Sequence, residues 1–148
     1  MSTFVNTLTI ARPIEDVFGF LADLENLPTW NHALVTTRRT SEGPLGVGST
    51  FRQTRSLPAP TEEDLRVTRF EAPSALGVAG DLGPFQAEID YTLDTVPGGT
   101  LLTNRITLTA PRRALALALP ALTPTIKASV GDNLRVLRSL LERSSRAA

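Results

Sequence analysis

The chain has 148 residues, 41% hydrophobic and 20% charged, a balance that excludes a disordered polypeptide and favours one domain burying roughly 70% of its unfolded surface. Fifteen basic side chains offset fifteen acidic ones, so no global field draws in nucleic acid or an anionic membrane, and a small, nearly neutral partner fits better. With no cysteine and a single histidine, His32, thiol catalysis, disulfides, iron–sulfur clusters and thiolate or multi-histidine zinc sites are excluded.

Phe4, Leu8 and Ile10 share one parity and Thr3, Thr7 and Thr9 the other, which predicts a half-buried strand with Asn6 as the odd member of its apolar face. Pro13 opens a helix from Ile14 to about Asp23: Ile14, Val17, Phe18 and Leu21 recur at helical spacing, and Glu15 and Asp16 sit in the first turn, where the helix dipole favours negative charge. A second short helical turn, LENLPTW, ends at Trp30.

From there to about residue 110 the pattern is of strands. Gly43, Pro44, Gly46 and Gly48 mark one turn, Pro58 and Pro60 the next, and Pro73 a third. PFQAEIDYTLDTV alternates most cleanly: Phe85, Ala87, Ile89, Tyr91 and Leu93 on one face, Gln86, Glu88, Asp90, Thr92 and Asp94 on the other. Pro97, Gly98 and Gly99 turn the chain into TLLTNRITLT, where Leu102, Asn104, Ile106 and Leu108 share a parity, so an antiparallel meander with one wet face is expected. Around Val35 and Val67 the alternation assigns no face.

After Pro111 the residues become alanine, leucine and arginine, strong helix formers, and predict a long terminal helix that Pro120 and Pro124 kink or break in its first part. From about Thr125 to Glu142, Ile126, Val130, Leu137, Leu140 and Leu141 form an apolar stripe with Asn133 near its middle, expected to lie against the sheet. At 100° per residue Leu115, Leu119 and Leu122 cluster while Leu117 points almost opposite, which suggests either a lid over a cavity or a homodimer contact. The order strand, helices, six strands, long helix packs most economically as an α+β fold: a curved antiparallel sheet around the terminal helix, with two short helices closing one end and a cavity between sheet and helix. One domain over 1–143 with a short flexible tail at 144–148 is expected. The longest apolar run, Ala114 to Leu122, falls short of the roughly 20 residues of a membrane span, and MSTFVNTLTI lacks a basic segment followed by an apolar one, so a cytoplasmic location is expected.

Several pieces, in order, resemble the START-related or SRPBCC superfamily, and within it the bacterial polyketide cyclase/dehydrase-like group. They are ARPIEDVFGFLADLENLPTW after the opening strand, GVGSTFRQT, the GPF at Gly83 to Phe85, the turn Gly98 to Thr100, and NLRVLRSLLE at the end. The resemblance covers nearly the whole chain and implies a helix-grip fold with an internal hydrophobic pocket. It also implies a hydrophobic, oxygenated small molecule as partner, such as a polyketide, lipid or aromatic metabolite. The superfamily includes aromatase/cyclases and lipid carriers alike, and fold does not fix chemistry.

The informative residues for such a site are polar ones on apolar parities: Gln53 and Arg55 in register with Phe51, Tyr91, Asn104, and Asn133 on the helix stripe. A buried polar group costs roughly 1–3 kcal/mol unless partnered, so several aimed at one interior point to a pocket wall, while mutual core satisfaction is the alternative. With Trp30, Phe51, Phe85 and Ile126 as apolar lining, these make up the expected ligand site. His32, the one side chain titrating near neutral pH unaided, is a candidate proton carrier without a partner in view; Arg55 and Tyr91 are candidates to stabilise an enolate. Lys127 is the only lysine available as a Schiff-base nucleophile. Glu88 and Asp90 read as facing water. Glu62, Glu63 and Asp64 read as a solvated strand entrance, and the glycines at 43–48 as a hairpin turn, since their spacing matches no phosphate-binding loop. No metal is expected, and a cyclisation by pocket shape would need no cofactor. A non-catalytic carrier or sensor, or an interaction module using the leucine-rich segment, stays open beside the cyclase reading.

Overall fold

The computed structural model describes the backbone of residues 1–147, with side chains through residue 144. β1 (Ser2–Ile10) leads to α1 (Ile14–Ala22), a 3-10 turn (Leu24–Asn26) and α2 (Leu27–Trp30). Six strands follow, β2 (Leu34–Arg39), β3 (Thr50–Arg55), β4 (Thr61–Glu71), β5 (Ala75–Leu82), β6 (Phe85–Val96) and β7 (Gly99–Thr109), and then α3 (Arg113–Ala147). All neighbours pair antiparallel in the order β1-β7-β6-β5-β4-β3-β2. Because β1 and β2 are opposite edges of the sheet, the chain between them must cross one of its ends. Helices α1 and α2 make that crossing, and the whole is the expected helix-grip fold.

The meander follows from its turns. At Gly99 the chain takes φ +153°, and a Cβ there would lie 2.0 Å from the carbonyl oxygen of Ile10, so only glycine lets β7 start hard against the end of β1. Inward and outward faces follow the parities: Phe85, Ala87, Tyr91 and Leu93 are buried while Glu88 is exposed, and Leu102, Asn104, Ile106 and Leu108 are buried on β7. Strand β5 does not alternate; Ala75, Leu76, Gly77 and Val78 are all buried, because Thr68, Arg69 and Asp90 cover its outer side at Gly77. On β4, Val67 points inward; on β2, Val35 is exposed.

Two apolar clusters fill the interior. One joins Ile10, Val17, Leu21, Leu76 and Leu93 to Leu134, Leu137 and Leu141 of α3, and the other packs Leu119 against Phe4, Phe85, Ile106 and Leu108. The docked stripe of α3 is therefore turned slightly from the expected one. Leu134 joins it, whereas Ile126, Val130 and Leu140 are only partly buried.

Of the kink or break expected at the prolines, the break does not occur: α3 runs from Arg113 through Pro120 and Pro124 as one helix. Each proline removes one intrahelical bond, leaving the carbonyls of Ala116 and Pro120 without their donors, and Ala116, Pro120 and Pro124 are all exposed, which makes that loss tolerable. The expected tail at 144–148 is helical to Ala147; the side chains from 145 and all of Ala148 lie outside the described residues. Leu117 points outward, 79% exposed, as the helical phase requires, but Leu122 is exposed as well, at the edge rather than inside the cluster. By length and composition Arg113–Ser144 could cross a membrane, its most apolar 18-residue stretch having a mean hydropathy of 1.3. Yet it packs against the sheet at both ends of its apolar face, through Leu119 and through Leu137 and Leu141, and Thr123 Oγ1 bonds the hydroxyl of Ser2 at 2.9 Å; it is the helix the sheet grips.

Leu137 is fully buried, so Leu137→Ala should lower stability by about 2–5 kcal/mol in chemical denaturation, as large-to-small core changes do. A loss below about 0.5 kcal/mol, typical of a surface site, would mean α3 docks in another phase.

Candidate functional site

Between α3 and the inner face of the sheet lies a cavity of about 70 Å³. Its walls are apolar over most of their extent, with Leu24, Leu27 and Trp30 from the short helices, Val78 and Ile89 from the sheet, and Val130 from α3. Five of the residues expected at a ligand site meet here: Trp30, Gln53, Arg55, Tyr91 and Asn133. Four do not line it. Phe51 is core on the same face of β3 but four residues from Arg55, Phe85 and Ile126 belong to the second apolar cluster around Leu119, and Asn104 lies one strand beyond Tyr91, opposite Asn6.

His32 is exposed in the turn after α2 and does not reach the cavity, although its neighbours Trp30 and Asn31 line it. Asn31 Oδ1 accepts from the Ala33 amide at 3.0 Å, a local turn that carries His32 outward. A second, larger hollow of about 820 Å³ lies on the outer face of the sheet, bordered by Thr50, Arg66, Glu88 and Thr107; it is shallow and wet, without desolvated polar groups.

The polar end of the inner cavity is built on a residue the sequence reading placed in solvent. On β4 the run Glu62, Glu63, Asp64 splits by parity: Glu62 and Asp64 point outward and pair with Arg52 at 2.6 and 3.0 Å, while Glu63 points inward and is buried. The hydrogen bond and charge of Arg52 hold the exposed Glu62 carboxyl below its usual range. Glu63 shares its parity with Leu65 and Val67, and that alternation was the signal available to find it.

Glu63 receives Arg55 Nε on both carboxylate oxygens, each at 2.9 Å, Gln53 Nε2 on Oε1 at 2.8 Å, and the Gly83 amide on Oε2 at 2.8 Å. All three side chains are buried. Arg55 lines the cavity and spends only Nε on this pair; its two Nη groups hydrogen-bond to none of the described residues. Gln53 Oε1 is likewise buried without a partner. The cavity thus meets the Arg55 guanidinium, with its Nη groups free of hydrogen bonds to the described residues, beside the buried acceptor of Gln53, which is costly to leave unpaired.

Tyr91 lines the cavity from β6. Burial pushes its hydroxyl well above its ordinary pKa of 10.0, because the phenolate would lose its hydration, so at neutral pH it holds its proton and acts as a hydrogen-bonding group rather than a base. Asn104, fully buried, has both amide atoms unpartnered among the described residues, and its row runs from Asn6, whose Nδ2 donates to the Lys127 carbonyl, to Tyr91. Among the described residues, no group of three or more His, Asp or Glu side chains could hold a metal ion.

The chain belongs to the family described as polyketide cyclase / dehydrase and lipid transport, whose sequence pattern it matches over residues 1–142. Solved structures carry the same fold at low identity. The Zhui aromatase/cyclase from Streptomyces sp. R1128 is 15% identical, with 99% of this chain and 96% of that one covered and a TM-score of 0.77. A protein of Thermus thermophilus is 15% identical, with 97% and 99% covered and a TM-score of 0.79. The di-domain aromatase/cyclase StfQ of the steffimycin biosynthetic pathway is 15% identical with a TM-score of 0.80, and the match takes in 97% of this chain but about half, 52%, of that one. At these identities the likeness establishes the fold. No curated protein matches the sequence.

Tyr91 is the only tyrosine, so its titration can be read directly by absorbance. With the folded value raised above the unfolded one, its contribution to stability is fully present below about pH 10 and is lost as the pH climbs above that toward the folded value. No tyrosinate absorbance should develop in the native protein as the pH passes 10.0, only with unfolding. Ionisation of the folded protein at the ordinary value would place Tyr91 in water.

Proposed function

We propose that the protein binds a hydrophobic, oxygenated small molecule, of the polyketide, lipid or aromatic metabolite class, in the cavity beneath α3. The observation that carries this is the set of polar groups on an otherwise apolar space: Arg55 with its Nη groups free, Gln53 with its Oε1 free, and protonated Tyr91. Apolar walls would supply most of the affinity and the few polar groups the orientation. At about 70 Å³ the space is well under the roughly 300–1,000 Å³ of ordinary ligand sites, so ligand entry would widen it. Half-buried Leu82, Val130 and Asn133 line it and are the side chains with room to give.

Carriage without chemistry is the reading we favour. Glu63 is occupied by its donors, Tyr91 holds its proton, Asp81 at the rim is exposed to solvent and His32 is outside the cavity, so none of the described residues turns a free base into its interior. The family description and the aromatase/cyclase neighbours support a second reading, in which the Arg55 Nη groups stabilise an enolate while the walls fold a poly-carbonyl chain, with no cofactor. Incubating the purified protein with extracted metabolites separates the two: a compound recovered unchanged supports carriage, a cyclised or dehydrated one supports catalysis, and recovery of nothing above a denatured control contradicts both.

The cytoplasm is the setting we propose. A homodimer belongs to the same proposal: from Ala114 to Ile126 the outward side of α3 carries no charge, and Leu117 projects from it. Sedimentation should find dimers that Leu117→Arg dissociates, and a monomeric wild type would contradict this.

The neutral probe N-phenyl-1-naphthylamine should bind the native protein and alter the emission of Trp30, the sole tryptophan, which lines the cavity. Gln53→Leu should change which oxygenated probes bind more than it changes stability. Unaltered binding with a large stability loss would instead assign Gln53 to core satisfaction.

A further inference from the structure

A guanidinium that meets a carboxylate end-on commonly offers a fork of two parallel N–H groups, and the pair then satisfies itself. Arg55 meets Glu63 differently. Its Nε serves both carboxylate oxygens at 2.9 Å, and the remaining capacity of Glu63 is taken by Gln53 Nε2 and the Gly83 amide. Charge is thereby matched, with Glu63 2% and Arg55 7% exposed, while the arginine keeps its Nη donors for something else. Asp81, the other charged residue that borders the cavity, is exposed to solvent.

We propose that Glu63 is a specificity-determining residue: it cancels the charge of Arg55 while leaving its donors free, so the cavity accepts neutral carbonyl and hydroxyl compounds and rejects carboxylates. This rests on the reading of the cavity as the ligand site and adds the charge class of what it takes. A carboxylate ligand at the Nη groups would set a second acid against one guanidinium, in a space where a carboxylate loses its hydration and gains no unmatched positive charge. A neutral carbonyl loses far less hydration and gains the same donors. A ligand hydroxyl finds its acceptor in Gln53 Oε1.

The test uses 2-naphthol and 2-naphthoate, the same apolar body with a neutral or an anionic oxygen group, titrated calorimetrically at pH 7 into wild type, Glu63→Gln and Arg55→Lys, each checked for folding by circular dichroism. Any apolar cavity disfavours an anion to a degree, so the variants assign the cause. Wild type should bind 2-naphthol at least about tenfold more tightly than 2-naphthoate, and Glu63→Gln, which leaves Arg55 uncancelled, should shift that ratio at least about tenfold toward 2-naphthoate. Arg55→Lys keeps the ion pair but commits its ammonium to Glu63, so 2-naphthol affinity should fall without a gain for 2-naphthoate. Equal affinity of the two probes for wild type, a ratio unmoved in folded Glu63→Gln, or undiminished 2-naphthol binding to Arg55→Lys would each overturn the inference. Should Glu63→Gln not fold, Glu63→Met takes its place, with the same shift toward 2-naphthoate expected and an unmoved ratio overturning the inference. Failure of both probes to bind wild type would overturn the proposed function and the inference with it, whereas 2-naphthol binding with an unmoved ratio overturns the inference alone.

Discussion

One helix has to cover the inner face of a seven-stranded sheet, and the rest of the structure follows from that constraint. Helix α3 is too narrow to fill a groove of that width, so it docks along one side, with Leu134, Leu137 and Leu141 in one apolar cluster and Leu119 in another. The short helices α1 and α2 close the end that the separation of β1 and β2 leaves open. What neither covers becomes the cavity between Trp30, Tyr91, Val130 and Arg55. The space is a consequence of topology, and the side chains that line it decide what it holds.

Those side chains include more polar groups than an ordinary core would carry. Arg55, Glu63 and Gln53 are buried together on β3 and β4, and Glu63 also ties the turn at Gly83 to them. Replacing a buried ion pair by apolar residues of similar volume is often neutral or stabilising, so the pair is weak evidence of a stability role. Its geometry fits a binding role better, since the guanidinium is fixed through one nitrogen and presents the other two. Tyr91, kept protonated by its burial, adds a hydrogen-bonding group without adding charge.

Much of the fold was legible because strands with one wet face declare themselves by alternation, as in β6, and because the turns at Gly43–Gly48 and Pro97–Gly99 carry the residues their geometry requires. The path of α3 through Pro120 and Pro124 was not, since it depends on both residues facing water, which is a tertiary fact. Parity likewise gave the inward direction of Phe85, Asn104 and Ile126 but not their position along the groove, and they fall beside the second cluster or under the helix rather than at the cavity. Glu63 was hidden because an acidic run was read as a unit. Taken residue by residue, the alternation with Leu65 and Val67 turns it inward, toward the arginine whose role it shapes.

The central claim is that the space beneath α3 is where a ligand sits, oriented from the Arg55 side. Its most direct test is a nuclear magnetic resonance titration with 2-naphthol that follows the indole N–H of Trp30, the Arg55 side-chain N–H groups and the backbone amides together. The account predicts saturable shifts at Trp30, Arg55, Tyr91 and Asn133 with one common affinity, while Arg66, Glu88 and Thr107 on the outer face stay unmoved. Shifts confined to the outer face, or a Trp30 response without any at Arg55, would contradict it.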